Sequence, residues 1–225
     1  MEASKVLGRL KALSNPETVA GMARFGINSK NTYGVSIPIL RKMAKELGRN
    51  HSLASELWES GVHEARILAS MIEMPDKVTQ AQMDRWVKDF DSWDVCDQCC
   101  SNLFDKTEAA HRKASEWSSR HEEFVKRAGF ALMAALAVHD KKTPNAEFLK
   151  FLGSIKREAT DERNFVKKAV NWGLRQIGKR NLQLNRAAIR TAKDIQRMDS
   201  KSARWIAADA LRELTSAQVQ RRLRT

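Results

Sequence analysis

Ten residues from Asp91 to Cys100 read DSWDVCDQCC and gather three acids, three thiols and one tryptophan. Trp93 and Asp97 are four apart, so on a helix an indole and a carboxylate stack on one side about a turn from each other. Turned towards a groove, that pair is a device for stabilising a cation. The competing reading makes Trp93 core and lets Asp97 cap a helix end or pair with a lysine. Asp91 and Asp94 read as helix-start or surface charges. Cys96 and Cys100 fall near the tryptophan's side, as packing around it. The Cys96-x-x-Cys99 spacing invites zinc, but a closed site needs four ligands, and no second CxxC or spaced histidine pair accompanies it. A redox role wants a strand beside the motif, and no segment here favours one. The thiols are therefore expected to be buried and reduced, and neither metal nor organic cofactor is expected.

A second constellation lies between Asn164 and Lys179. Lys168, Trp172, Arg175 and Lys179 follow spacings of four, three and four, one stripe within about 60° on a helix, opposite Val166 and Val170. Three cations around an aromatic suit phosphate and sugar, with the tryptophan free to lie against a nucleotide. The plainer alternative is an amphipathic helix whose tryptophan is covered by lysine stems. In a preceding, similar segment Lys126 and Arg127 occupy the positions of Lys167 and Lys168, which predicts cations carried into the same groove. His51, His63, His111, His121 and His139 each read as surface or helix-end residues. Phosphate-loop, deaminase, zinc-finger and nucleophile-elbow signatures are missing.

The elements that must position these residues are helical. Four prolines and ten glycines punctuate the chain, and apolar residues recur at three and four, as in Ile67, Leu68, Met71 and Ile72, without two-residue alternation. Ser14-Asn15-Pro16-Glu17, Thr143-Pro144 and Asp199-Ser200 offer helix starts. The fold class is all-α. Phe124-Val125-Lys126-Arg127-Ala128 returns 41 residues later as Phe165-Val166-Lys167-Lys168-Ala169 and, after 41 more, as the degenerate Ile206-Ala207-Ala208-Asp209-Ala210. That period predicts stacked helix pairs of the HEAT or armadillo type with a basic concave face able to wrap a duplex. No linker stands out, so residues 1–225 are expected to form a single domain, with the arginines of the tail fraying near phosphate.

The net charge is +13, and it is unevenly spread. Residues 1–110 hold 14 Lys and Arg against 15 Asp and Glu, whereas residues 111–225 hold 26 against 12. A polyanion is the natural partner for such a surface, because each neutralised phosphate releases condensed counterions. The longest apolar run, Ala128 to Val138, is too short for the ~20 residues of a membrane span, and clustered unpaired cysteines fit a reducing compartment. The reading is a cytoplasmic protein, associated with the nucleoid when bound to DNA, with no membrane partner.

Taken in order, Ser92-Trp93-Asp94-Val95-Cys96-Asp97, Val125-Lys126-Arg127-Ala128 and Lys168-Ala169-Val170-Asn171-Trp172-Gly173-Leu174-Arg175 resemble the HEAT-like-repeat alkylpurine DNA glycosylases of the AlkD type. Met22-Ala23-Arg24-Phe25 and Gly34-Val35-Ser36-Ile37-Pro38 with Arg41 are similar to that family's entry helices, and the likeness spans roughly residues 15 to 215. The resemblance implies a monomeric enzyme that binds duplex DNA containing alkylated purines and hydrolyses the N-glycosidic bond of cationic N3- or N7-alkylpurines without flipping the base. It implies Asp97 as the catalytic carboxylate, Trp93 and Trp172 flanking the deoxyribose, and Arg127 and Arg175 holding phosphates; Lys168, Lys179 and Lys126 follow as further DNA-binding cations. Two departures stand out: Ser92 replaces a second tryptophan, and Ser36 replaces a longer amide. Some relatives bind DNA without excision, so a catalytically silent DNA-binding protein is the runner-up. A helical scaffold for RNA or an acidic protein is the third reading.

Overall fold

Helix starts are fixed by side chains that take up orphan backbone N–H groups. Asn15 Oδ1 accepts from Thr18 N at 3.0 Å just ahead of Pro16, Asn50 from Leu53 N at 3.0 Å and Thr79 from Gln82 N at 3.1 Å. Asn181 and Ser200 do the same for Leu184 and Ala203. Thr143 departs from expectation: the helix begins at Asn145 with no side-chain cap, and the Thr143 hydroxyl donates to Asp140 Oδ2 at 2.6 Å instead. The computed structural model describes residues 2–224, and among them it contains helices and no strand.

The chain forms two compact units, Met1–Thr107 and Glu108–Thr225. The boundary follows a 3-10 turn, Phe104–Lys106, whose Phe104 is fully buried.

The first unit contains α1 (Ala3–Ala12), α2 (Pro16–Arg24), α3 (Ile37–Leu47), α4 (His51–Glu59), α5 (His63–Ile72), α6 (Gln80–Lys88) and α7 (Trp93–Asn102). Helix α5 is its hub, packed against α1, α3, α4 and α7. Ala65, Ile67, Leu68, Ala69 and Ile72 are all essentially inaccessible, so the apolar face wraps most of the cylinder, as a helix enclosed by neighbours requires. Trp58 and Trp86 stack at 3.9 Å with planes 3° apart. Phe90 meets Trp58 edge-on, and Phe104 closes the cluster at a tilt against Trp86 and Phe90.

The second unit contains α8 (Ala110–Ser118), α9 (Glu123–His139), α10 (Asn145–Glu158), α11 (Asn164–Gly178), α12 (Leu182–Gln196), α13 (Lys201–Leu214) and α14 (Ala217–Arg222). Helices α9, α11 and α13 lie side by side in one layer, and α8, α10 and α12 in the other. The longest apolar run is the middle of α9, buried on every side from Val125 to Ala137. At ~1.5–3 kcal/mol for each fully buried Leu, Phe or Met, this helix supplies more cohesion than any polar link around it. Its close seat on α8 needs Gly129: a Cβ there would meet Ser118 N at 2.4 Å. The repeat is real in space, for Phe124 and Phe165, 41 apart in sequence, have ring centroids 5.5 Å apart.

Candidate carboxylate site and nucleic-acid interface

Helix α7 begins at Trp93 because Ser92 is extended (φ −152°, ψ 142°). Trp93 and Asp97 then fall on successive turns and both remain partly accessible, while Cys96, Cys99 and Cys100 behind them are fully buried. Burial pushes the Cys99 and Cys100 thiols well above their ordinary range, with neighbouring thiols and acids adding to it. They are packing, not nucleophiles. The Trp93 indole N–H donates to Phe25 O at 3.1 Å, which orients the ring and ties α7 to the end of α2.

A series of contacts pins the segment after α2 to α5 and α7. Asn28 Nδ2 donates to Asp91 Oδ2 at 2.6 Å, and His63 N donates to Asn31 O at 2.9 Å. The buried Glu64 carboxylate accepts from the backbone N–H groups of Tyr33, Gly34 and Val35 at 2.6–3.2 Å. Gly34 has φ +76°, and a Cβ there would lie 2.5 Å from Asn15 O, so glycine is required. Ser36 caps the backbone start of α3 and is exposed, as is Arg41.

His63 and Asp94 were underestimated by sequence. His63 does start a helix, but it is 5% exposed, and its Nε2 lies 2.8 Å from Asp94 Oδ2. Burial opposes the charged imidazole; the Asp94 hydrogen bond and the charges of Asp94, Glu64 and Asp91 outweigh it and raise its pKa. For Asp94, burial favours the neutral acid, yet hydrogen bonds from His63 and Ser92 prevail and hold the carboxyl below its usual value. Ser92 is fully buried and donates to Asp94 Oδ1 at 2.7 Å. A larger residue at 92 would therefore pack inward, so serine there removes a core contact and not a wall of the exposed face. His111, which read as a surface or helix-end residue, meets Asp140 at 2.8 Å and stacks on Phe151.

In the second unit the expected cationic stripe is graded. Lys168 is exposed and Trp172 half-buried. Arg175 and Lys179 turn onto Glu213 of α13, at 2.6 and 2.5 Å. The expectation that Lys126 and Arg127 present cations in a groove is corrected. Lys126 is 8% exposed and lies 2.6 Å from Glu158 and 3.3 Å from Asp161; Arg127 is 6% exposed and donates to Phe165 O at 2.6 Å. An ammonium cannot stay buried without such partners. The two residues fasten α9 to its neighbours. Sequence reasoning also missed Arg186, Arg190, Lys193 and Arg197, spaced four, three and four on α12 and its end. Among the described residues all four are exposed and make no hydrogen bond or ion pair through their side chains. Their spacing was the available signal. Among the described residues no group of three His, Cys, Asp or Glu is placed to hold a metal ion, and no helix is long and apolar enough to cross a membrane.

Stacked helix pairs at this period define a HEAT-like helical-repeat protein. Residues 6–214 match the DNA alkylation repair enzyme family, and the chain belongs to it. It is similar to uncharacterized proteins of Listeria innocua, 28% identical over 190 residues, and Listeria monocytogenes, 26% identical over 190 residues; each alignment covers 83% of both chains. A solved structure from a family related to the HEAT-like repeat DNA glycosylases, with affinity for branched DNA structures, superposes with a TM-score of 0.80. It is 21% identical, the match covers 95% of this chain and 96% of that one, and the likeness establishes the fold.

Proposed function

We propose that the protein is a DNA glycosylase that binds alkylated duplex DNA and releases cationic N3- and N7-alkylpurines without base flipping. The observation that carries this reading is the α7 face, where Trp93 and Asp97 stand accessible on successive turns in front of a sealed thiol core. An alkylated purine already bears a positive charge and needs no protonation to leave. As the C1′–N bond breaks, its electron pair neutralises the purine, positive charge builds on the sugar, and water adds at C1′. A carboxylate held beside that sugar favours the developing cation. Asp97 takes this part and Trp93 lies against the deoxyribose; on α11 of the second unit, taken by itself, Trp172 offers a sugar contact and Lys168 an accessible phosphate contact. Arg175 and Lys179 reach phosphate by exchanging Glu213 for it, a swap that costs little because an anion replaces an anion.

Incubating the protein with methylated duplex DNA in EDTA and measuring free N7-methylguanine and N3-methyladenine tests the reading. Asp97→Asn is expected to cut release by about 100-fold or more with duplex affinity unchanged or raised. Release by the Asp97→Asn variant at the wild-type rate would sink the assignment.

A second reading, duplex binding without excision, is favoured by Ser92, which leaves the interior behind Trp93 with a hydroxyl where the glycosylase pattern has an indole. Absence of released base from wild-type protein that binds the same DNA selects it.

A further inference from the structure

We propose that the exposed face of α12 is a second binding surface for duplex DNA, recognising the sugar-phosphate backbone, on the layer of the second unit opposite to α11. The proposal goes beyond the assignment above and rests on its duplex-binding part.

Arg186, Arg190, Lys193 and Arg197 project within about 60° of one another around the helix. Leu184, Ala188 and Ile195, all fully buried, define the opposite side. The stripe is therefore held outward by the helix's own core face. Its ends are eleven residues apart, ~16 Å along the axis at 1.5 Å per residue. Duplex DNA carries about one charge per 1.7 Å of axis, so this length passes several phosphates of one strand.

Three features separate this stripe from an ordinary solvated face. Among the described residues its cations make no ion pair, Arg197 meeting Asp194 only through longer-range attraction, whereas Arg175 and Lys179 on α11 are both engaged by Glu213. Asp194, the acid of α12, is already held by Lys156 of α10 at 2.8 Å. Finally, Arg190, Lys193 and Arg197 line a groove of about 460 Å³ between α10 and α12, together with Leu149, Leu152 and the Lys156–Asp194 pair, whose two charges cancel. A phosphate ridge seated in this groove meets the α12 cations beside aliphatic side chains.

The chemistry also selects among polyanions. Single strands are held by aromatic platforms on which bases stack, and residues 182–197 contain no aromatic side chain. What remains is backbone recognition of a duplex, indifferent to sequence. A protein with one such face on each layer of helices holds two duplex segments at once.

The test uses full-length protein and an undamaged, labelled 12-base-pair DNA duplex too short to reach both faces. Sedimentation equilibrium at low salt is expected to show two duplexes per wild-type chain. The variant Arg186→Gln/Arg190→Gln/Lys193→Gln/Arg197→Gln is expected to bind one, with its first Kd within twofold of wild type and an unchanged melting temperature. With four phosphates engaged, the second site's affinity should fall roughly 100-fold between 50 and 200 mM salt. Arg190→Glu alone should weaken it in the same direction. One duplex per chain for both proteins overturns the α12 surface and leaves the first site standing. Failure of both to bind any duplex overturns the DNA reading itself. Displacement of the second DNA duplex by an RNA duplex or a poly-glutamate peptide as readily as by unlabelled DNA also overturns the proposal, because the stripe would then serve another acid.

Discussion

Two helices of the second unit carry charged stripes with identical spacing. On α11 the residues are Lys168, Trp172, Arg175 and Lys179; on α12 and its end they are Arg186, Arg190, Lys193 and Arg197. The first stripe runs from solvent into a seam with α13, where Glu213 takes both of its last cations. The second stays in solvent throughout. Spacing decides which residues share a face, and the opposing helix decides whether that face is a rail for a ligand or a rivet for the fold.

The contrast can be broken most strongly at the rivets. Lys126→Ala removes the common partner of Glu158 and Asp161 from a site with little solvent, and a loss of about 3 kcal/mol in urea unfolding is expected. A loss below about 0.5 kcal/mol, the usual range of surface substitutions, would return Lys126 to the surface. Glu213→Ala leaves half-buried Lys179 without its counter-charge and Arg175 with only Asp209 at 3.5 Å; about 1–2 kcal/mol is expected, and duplex affinity should rise as both cations become more available to phosphate. Equal or weaker DNA binding by that variant would remove Arg175 and Lys179 from the interface.

A pH series sharpens the comparison in the first unit. His63 has a raised pKa and Asp94 a lowered one. The His63 contribution is complete below its unfolded value near 6.5 and fades as pH rises through the higher folded value. The Asp94 contribution is complete above its unfolded value near 3.8 and fades as pH falls through the lower folded value. Asp94→Asn should therefore destabilise more at pH 5.5 than at pH 8.5, and urea midpoints with equal losses at both would refute a charged pair. The smallest stability effect belongs to the α12 cations: the fourfold Gln variant should stay within about 0.5 kcal/mol of wild type, the mark of residues that the fold does not use.

Much of the fold was legible. Helix starts at Asn15 and Ser200, the apolar α9 and the 41-residue period each follow from local chemistry, and the DNA alkylation repair family follows from short motifs read together. The fate of individual charges was not. Nothing near Lys126 in sequence announces Glu158 and Asp161, and His63 meets Asp94 across 31 residues. Such pairings depend on which helices the fold brings together. The α12 stripe was legible by spacing alone, but without an aromatic it did not stand out among the many lysines and arginines of the second half.

The links between stacked helices recur with a fixed separation. Arg127 reaches Phe165, Lys156 reaches Asp194, Asn171 reaches Asp209 and Arg175 reaches Glu213, each across 38 residues, just under one turn short of the 41-residue period. Donors in one helix pair are matched by acceptors in the next, so the pairs are not interchangeable bricks. Deleting or duplicating one would present a row of plugs to the wrong sockets, and an array of this kind cannot be lengthened or shortened as consensus repeats can without rewriting both sides of every seam.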